Sequence, residues 1–210
     1  AIGAALSGRP VIYVLRFSSF VWLQAGALAN YAAAANMLWG YNIPLFVRIL
    51  AMDGGGPTHT GSMASILAHR PGLTIAAPCK PHEYREVWDW FTGCRQPTIV
   101  CEHRSTYEWS DNFSKPTVSF EEPKATVIGI SNARISARDA ALRENWNYLH
   151  LIWLTDLERN RYWNFALESA KRTKRVVIAD CAYEPCSIAE HIAYRIMCET
   201  GATVRVVGME

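Results

Sequence analysis

The sequence predicts an α/β protein built from two doubly wound, mainly parallel sheets. Three observations lead there. Short apolar, β-branched runs alternate with longer stretches of helical periodicity along the chain. The runs are apolar throughout instead of alternating with polar residues, which implies sheets covered on both faces. The alternation lapses once, across "HRSTYEWSDNFSKPTVSFEEPK" (103–124), and then resumes. The lapse puts a linker at 111–123, between a first domain at 1–110 and a second at 124–210. A chain of 210 residues can bury two such cores.

The elements follow in order. "PVIYVLR" (10–16) reads as a strand, and an alanine-rich helix is expected over 19–39. "PLFVRILA" (44–51) is the second strand, followed by a glycine loop and a short helix over 62–68. "LTIAAP" (73–78) is a strand that Pro78 ends. Residues 82–93 carry Tyr84, Val87, Trp88 and Phe91 on one helical stripe. "PTIVCE" (97–102) closes the first series. After a connection with room for one short strand, the second series begins at 125–130. A helix over 135–145, a strand over 148–154, a helix over 158–172 and a strand over 175–180 follow. A helix over 184–199 and a strand over 202–208 complete it. The basic run "KRTKR" (171–175) reads as a solvated helix end, where cations suit the dipole.

Composition removes several functions. Half of the residues are hydrophobic and 19% are charged, and 21 basic against 19 acidic residues give a formal charge of +2. No basic face is implied, so nucleic acid is not an expected partner. No run reaches the roughly 18 apolar residues of a membrane span. The nearest approach, 17–39, is interrupted by Ser18, Ser19, Gln24, Asn30 and Asn36. Ala1 is not an initiator methionine, and no positively charged leader precedes the first strand. A signal peptide is therefore not expected, and the chain reads as lacking its natural beginning. Six cysteines include no CxxC pair, which suits reduced core thiols in a reducing compartment. Cys101, His103, Cys181 and Cys186 could be assembled into a zinc site only against the usual ligand spacing.

"AMDGGGPTHTGS" (51–62) lies at the carboxyl end of a parallel strand, where ligands bind in such sheets. It has no lysine for a phosphate-binding P-loop, and its glycines lack the GxGxxG spacing. Pro57 stiffens the approach to His59, a residue that can exchange protons near neutral pH. A phosphate cradle, a presented histidine and a plain turn remain as readings of the loop itself.

A wider pattern bears on that choice. "AIGAALSGRPVIYVLRFSSF", "GGGPTHTGSMASILAHRPGLTIAAP" and "QPTIVCEHRSTY" occur in this order, and "LESAKRTKRVVIADCAYEPCSIAEHIAYRI" follows. Together they resemble the beta subunit of the thiamine diphosphate-dependent 2-oxo acid dehydrogenases, the components acting on pyruvate, branched-chain 2-oxo acids or acetoin. "HRPGLTIAAP" is the most specific stretch. The resemblance implies a transketolase-like pyrimidine-binding domain followed by the opening half of a transketolase-type C-terminal domain.

It also implies roles. His59 stands at the family's active-site histidine, near the cofactor's thiazolium and implicated in acyl transfer to lipoyl groups. Phe20 aligns with the aromatic that packs on the aminopyrimidine of thiamine diphosphate, and Phe17 would shape the same pocket. The plain alternative for both rings is core packing. The diphosphate and Mg2+ would be held by an alpha subunit in an alpha2beta2 heterotetramer, with a 2-oxo acid as substrate and a lipoyl acyltransferase core as a further partner. A cytoplasmic location is implied, or the mitochondrial matrix in a eukaryote.

The departures are informative. The family's activating glutamate lies just upstream of "AIGAAL", and no residue here can take its role. "HTG" replaces the family's "HSQ", and "CAYEPC" replaces glycines after Asp180, which puts docking to the acyltransferase core in doubt. Cys94 falls near an acidic position of the family's potassium site, so no potassium is predicted. A non-catalytic structural or regulatory relative is one alternative function. A transketolase or deoxyxylulose phosphate synthase is the other.

Overall fold

The computed structural model describes residues 1–112 and 115–209, the side chain of Pro57 excepted. The predicted linker therefore includes two positions, Phe113 and Ser114, that lie outside the described residues. The chain divides into two compact units, Ala1–Ser110 and Asp111–Glu210. Residues 111–123 thus group with the second unit.

The first unit holds a four-stranded parallel sheet. Its strands are β1 (Val11–Leu15), β2 (Leu45–Ala51), β3 (Thr74–Ala76) and β4 (Thr98–His103), in the order β1-β2-β4-β3. Val47, Ile49, Ile75 and Ile99 are buried at its centre, as unbroken apolar runs require. The edge strand β1 differs. Its Ile12 and Val14 are exposed, so the expectation of two covered faces fails at this edge.

The helix expected over 19–39 is not continuous. After α1 (Ile2–Leu6) and β1, Phe17 leads into a 3-10 turn (Ser18–Phe20), then α2 (Val21–Ala27), a π-helical turn (Leu28–Ala32) and α3 (Ala35–Trp39). The π turn has a physical companion in the "HRPGL" stretch. Arg70 Nε donates to the carbonyl of Ala29 (3.0 Å), and the Ala33 amide reaches back to Leu28 (2.9 Å). A Cβ at Gly72 would lie 2.3 Å from the Ala33 carbonyl oxygen, so only glycine fits there. The outward face of this helical segment leaves Trp22, Leu23, Met37, Leu38 and Trp39 in solvent.

Helix α6 (Pro81–Cys94) follows the predicted stripe. Val87 and Phe91 are buried, and Trp88 meets Phe46 and Phe91 at 5.3 and 5.4 Å between ring centres. Its start is set by Pro81 and by the Glu83 carboxylate, which accepts from the amides of Cys79 (2.7 Å) and Lys80 (3.2 Å).

The second unit holds strands β5 (Thr117–Val118), β6 (Thr126–Ile130), β7 (Asn147–Leu151), β8 (Arg175–Tyr183) and β9 (Thr203–Met209). Their order is β5-β7-β6-β8-β9, parallel except for β5. Helices α7 (Arg134–Glu144), α8 (Trp163–Thr173) and α9 (Ile188–Thr200) connect them. Strand β7 stops before 154 and α8 starts later than 158. Buried Asn160 explains both, since its amide oxygen takes the Ile152 and Trp153 amides and its nitrogen donates to the carbonyls of Trp153 and Leu157. Helix α9 starts at 188 because Ser187 caps it, accepting from the Glu190 amide. The two sheets bear out the predicted fold class. Among the described residues, no helix is long and apolar enough to cross a membrane.

Candidate functional site

The carboxyl ends of β1 and β2 bring together all three residues singled out from the sequence. Phe17 precedes and Phe20 ends the 3-10 turn that leaves β1. His59 ends a one-turn helix, α4 (Gly56–His59), inside the glycine loop. The Phe17 ring stacks on the imidazole at 4.4 Å and 22°, and Phe20 stands edge-on to it at 6.0 Å and 84°. Phe17 and Phe20 meet each other edge to face at 5.5 Å. One face of Phe17 is therefore given to the histidine, while Phe20 stays 38% exposed.

Hydrogen bonds complete the placement. Ser19 Oγ lies 2.8 Å from His59 Nδ1, and Ser18 Oγ donates to the His59 carbonyl (3.3 Å). The Met52 amide donates to the same carbonyl (3.3 Å). The middle glycine of the loop has a specific task. A Cβ at Gly55 would lie 2.8 Å from His59 Cβ and 3.0 Å from Met52 Cγ, so its missing side chain makes room for the histidine itself. Sequence reading missed Ser18 and Ser19. A pair of serines between two phenylalanines, just past a strand, was the available signal.

A second histidine supports the loop from behind. His103 ends β4, is buried, and points Nε2 at Asp53 Oδ1 (3.4 Å) while Nδ1 meets Ser105 Oγ (2.7 Å). Burial lowers its pKa from the ordinary histidine value, and the Asp53 charge opposes that. The sequence suggested His103 only as a metal ligand. Among the described residues, no three His, Cys, Asp or Glu side chains gather for a metal. His69 is exposed just after α5 (Ala64–Ala68).

On the same sheet, Glu102 is buried and binds Arg48 through two nitrogens, at 2.5 and 2.7 Å, with the Tyr107 hydroxyl donating to it (2.6 Å). The hydrogen bond to Glu102 pushes the Arg48 pKa up, and burial pushes Tyr107 and Tyr84 above the ordinary phenol range. Arg48, Tyr84 and Tyr107 line a cleft with Cys79, Thr106 and Trp109.

Residues 1–110, which hold this constellation, match the family described as transketolase, pyrimidine binding domain. The chain belongs to that family. Its relatives narrow the likeness. It is 25% identical to the beta subunit of acetoin:2,6-dichlorophenolindophenol oxidoreductase from Cupriavidus necator, over 93% of this chain and 62% of that subunit. It is 25% identical to the pyruvate dehydrogenase E1 component subunit beta of Staphylococcus epidermidis, over 68% of this chain and 43% of that one. It is 29% identical to the 2-oxoisovalerate dehydrogenase subunit beta of Bacillus subtilis, over 50% of this chain and 34% of that one. The chain thus spans less than two thirds of the length of these relatives. Among solved structures, a split-gene transketolase described as an inactive beta4 tetramer matches with a TM-score of 0.74 at 18% identity. That match covers 100% of this chain and 70% of that one, and shows the transketolase-like fold. The resemblance to 2-oxo acid dehydrogenase beta subunits stands on these relatives.

Proposed function

We propose that this pyrimidine-binding chain is the beta subunit of a thiamine diphosphate-dependent 2-oxo acid dehydrogenase, and that His59 serves acyl transfer to lipoyl groups. The observation that carries the reading is the meeting of Phe17, Phe20 and His59 at the carboxyl ends of two parallel strands, inside the segment that matches the family.

The residues fit the heterocyclic end of the cofactor. Phe20 offers a partly exposed flat ring beside a polar imidazole edge, which suits packing on an aminopyrimidine. The diphosphate and Mg2+ fall to the partner subunit in this reading. When bound, the cofactor supplies an electron sink for decarboxylation. The chain's own residues do the rest. Phe20 would pack against the heterocycle and keep water from one side of the cavity. Phe17 would orient the imidazole by stacking on it. His59 would hold or deliver a proton at the oxygen of the bound acyl group, through Nε2. The exposed Trp22, Leu23, Met37, Leu38 and Trp39 support an assembled state, since apolar patches of this kind mark protein interfaces.

The test is His59→Ala in enzyme reconstituted with an alpha partner. Lipoyl acylation should fall by about 100-fold or more, the usual worth of a positioned proton-transfer group. Unchanged acylation would overturn the role.

A further inference from the structure

Two neighbouring hydroxyls hold His59 by different parts. Ser18 takes the backbone carbonyl and Ser19 takes the ring nitrogen Nδ1, while Phe17 fixes the plane of the ring. Nε2 has no hydrogen-bond partner among the described residues and is the atom left to face a ligand.

A neutral imidazole carries one donor and one acceptor nitrogen, so the group at Nδ1 decides what Nε2 is. In catalytic triads a carboxylate sits at that position. It forces Nδ1–H and leaves Nε2 as a base. Here the neighbour is a hydroxyl. Ser19 is half-buried, and its Oγ has no other hydrogen-bond partner among the described residues. If Nδ1 were protonated, the serine would accept and its own proton would be left to solvent or to a ligand. If Ser19 donates, its proton and the Nδ1 lone pair are satisfied together.

We infer that Ser19 is a positioning residue that donates to Nδ1 and holds His59 in its Nε2–H form, so that the histidine meets the ligand as a hydrogen-bond donor and acid, not as a base. The ligand class follows: an oxygen that is anionic or gains negative charge, such as a carboxylate or an acyl oxygen. The importance of that donor for catalysis rests on the function proposed above, but the tautomer does not.

The test is nitrogen NMR of the full chain labelled with 15N-histidine, at a pH where His59 is neutral. His59 should show a pyridine-type Nδ1 and a pyrrole-type Nε2. In Ser19→Ala the two shifts should move toward each other as tautomers mix. Ser19→Thr should restore them, and Ser19→Asp should invert them by favouring Nδ1–H. A wild-type Nδ1–H signature would overturn the inference. So would Ser19→Ala spectra that match the wild type. If Ser19→Ala does not fold, the Thr and Asp variants decide, and failure of Asp to differ from Thr overturns the inference. An Nε2–H signature together with unchanged acylation in His59→Ala would sink the proposed function and leave the tautomer assignment standing.

Discussion

Past β2, the first unit spends residues 52–63 on a loop that carries a half-buried histidine among aromatic rings. Past β6, the second unit turns at once through Ser131–Ala133 into α7, and Arg134 at the head of that helix is fully buried. Both are carboxyl ends of parallel strands. In the second unit β6 lies between β7 and β8, and the chain crosses to opposite sides of it, the arrangement that commonly opens a ligand crevice. Yet Gly129 abuts the Arg134 backbone, where a Cβ would lie 2.6 Å from Cα, and the Asp180 carboxylate in the second half of β8 is buried. Topology alone therefore does not make a site. The spacing between strand end and next helix decides whether the edge is open or plugged.

The contrast can be broken most strongly at Asp180. Burial pushes its carboxyl up to about 6 from 3.8, against the opposing amides of Cys181 and Ala182. The folded state thus holds this proton more tightly than the unfolded chain does. Stability from the group is complete below the unfolded value and is lost as pH rises through the folded one. Asp180→Asn should therefore stabilise the protein by up to about 3 kcal/mol at pH 8 and by little near pH 4, in paired urea melts. An equal gain at both pH values would show that the carboxylate is not strained.

Gly129→Ala probes the plug by packing. It should cost about 2 kcal/mol through overpacking against Arg134, read from the urea midpoint. At the open end, Glu102→Gln weakens the bidentate grip on Arg48. Arg48 is partly exposed, so about 1 kcal/mol is expected, with a loss of salt dependence in the melt. Gly55→Ala should cost a similar amount, about 1 kcal/mol, because the loop must shift to clear His59 Cβ and Met52 Cγ. That substitution should also shift the His59 ring signals in NMR, since the new methyl meets His59 Cβ.

The succession of strands along the chain was legible because parallel strands buried on both faces write themselves as apolar runs, whereas their order across each sheet was not. Sequence reading missed what depends on a single side chain binding backbone. Asn160 delays α8, and Arg70 reaches the Ala29 carbonyl beside a π turn, and neither leaves a periodic mark. The site shows the same division. His59 was legible from its place after a strand and a glycine run, and Phe17 and Phe20 from family resemblance. The serine pair between two phenylalanines marks Ser19 without naming its partner 40 residues on, and the His103–Asp53 contact, across 50 residues, leaves no sign in the spacing.

The exposed face of α2 and α3 has a consequence for the life of the chain in a cell. A protein that shows Trp22, Leu23, Met37, Leu38 and Trp39 to water offers chaperones and proteases a reason to act on it until that face is covered. Its abundance would then follow the supply of whatever covers the face more closely than its own rate of synthesis. Expressed alone it should be short-lived or self-associated, and supplying whatever covers that face would be the simplest means of keeping it.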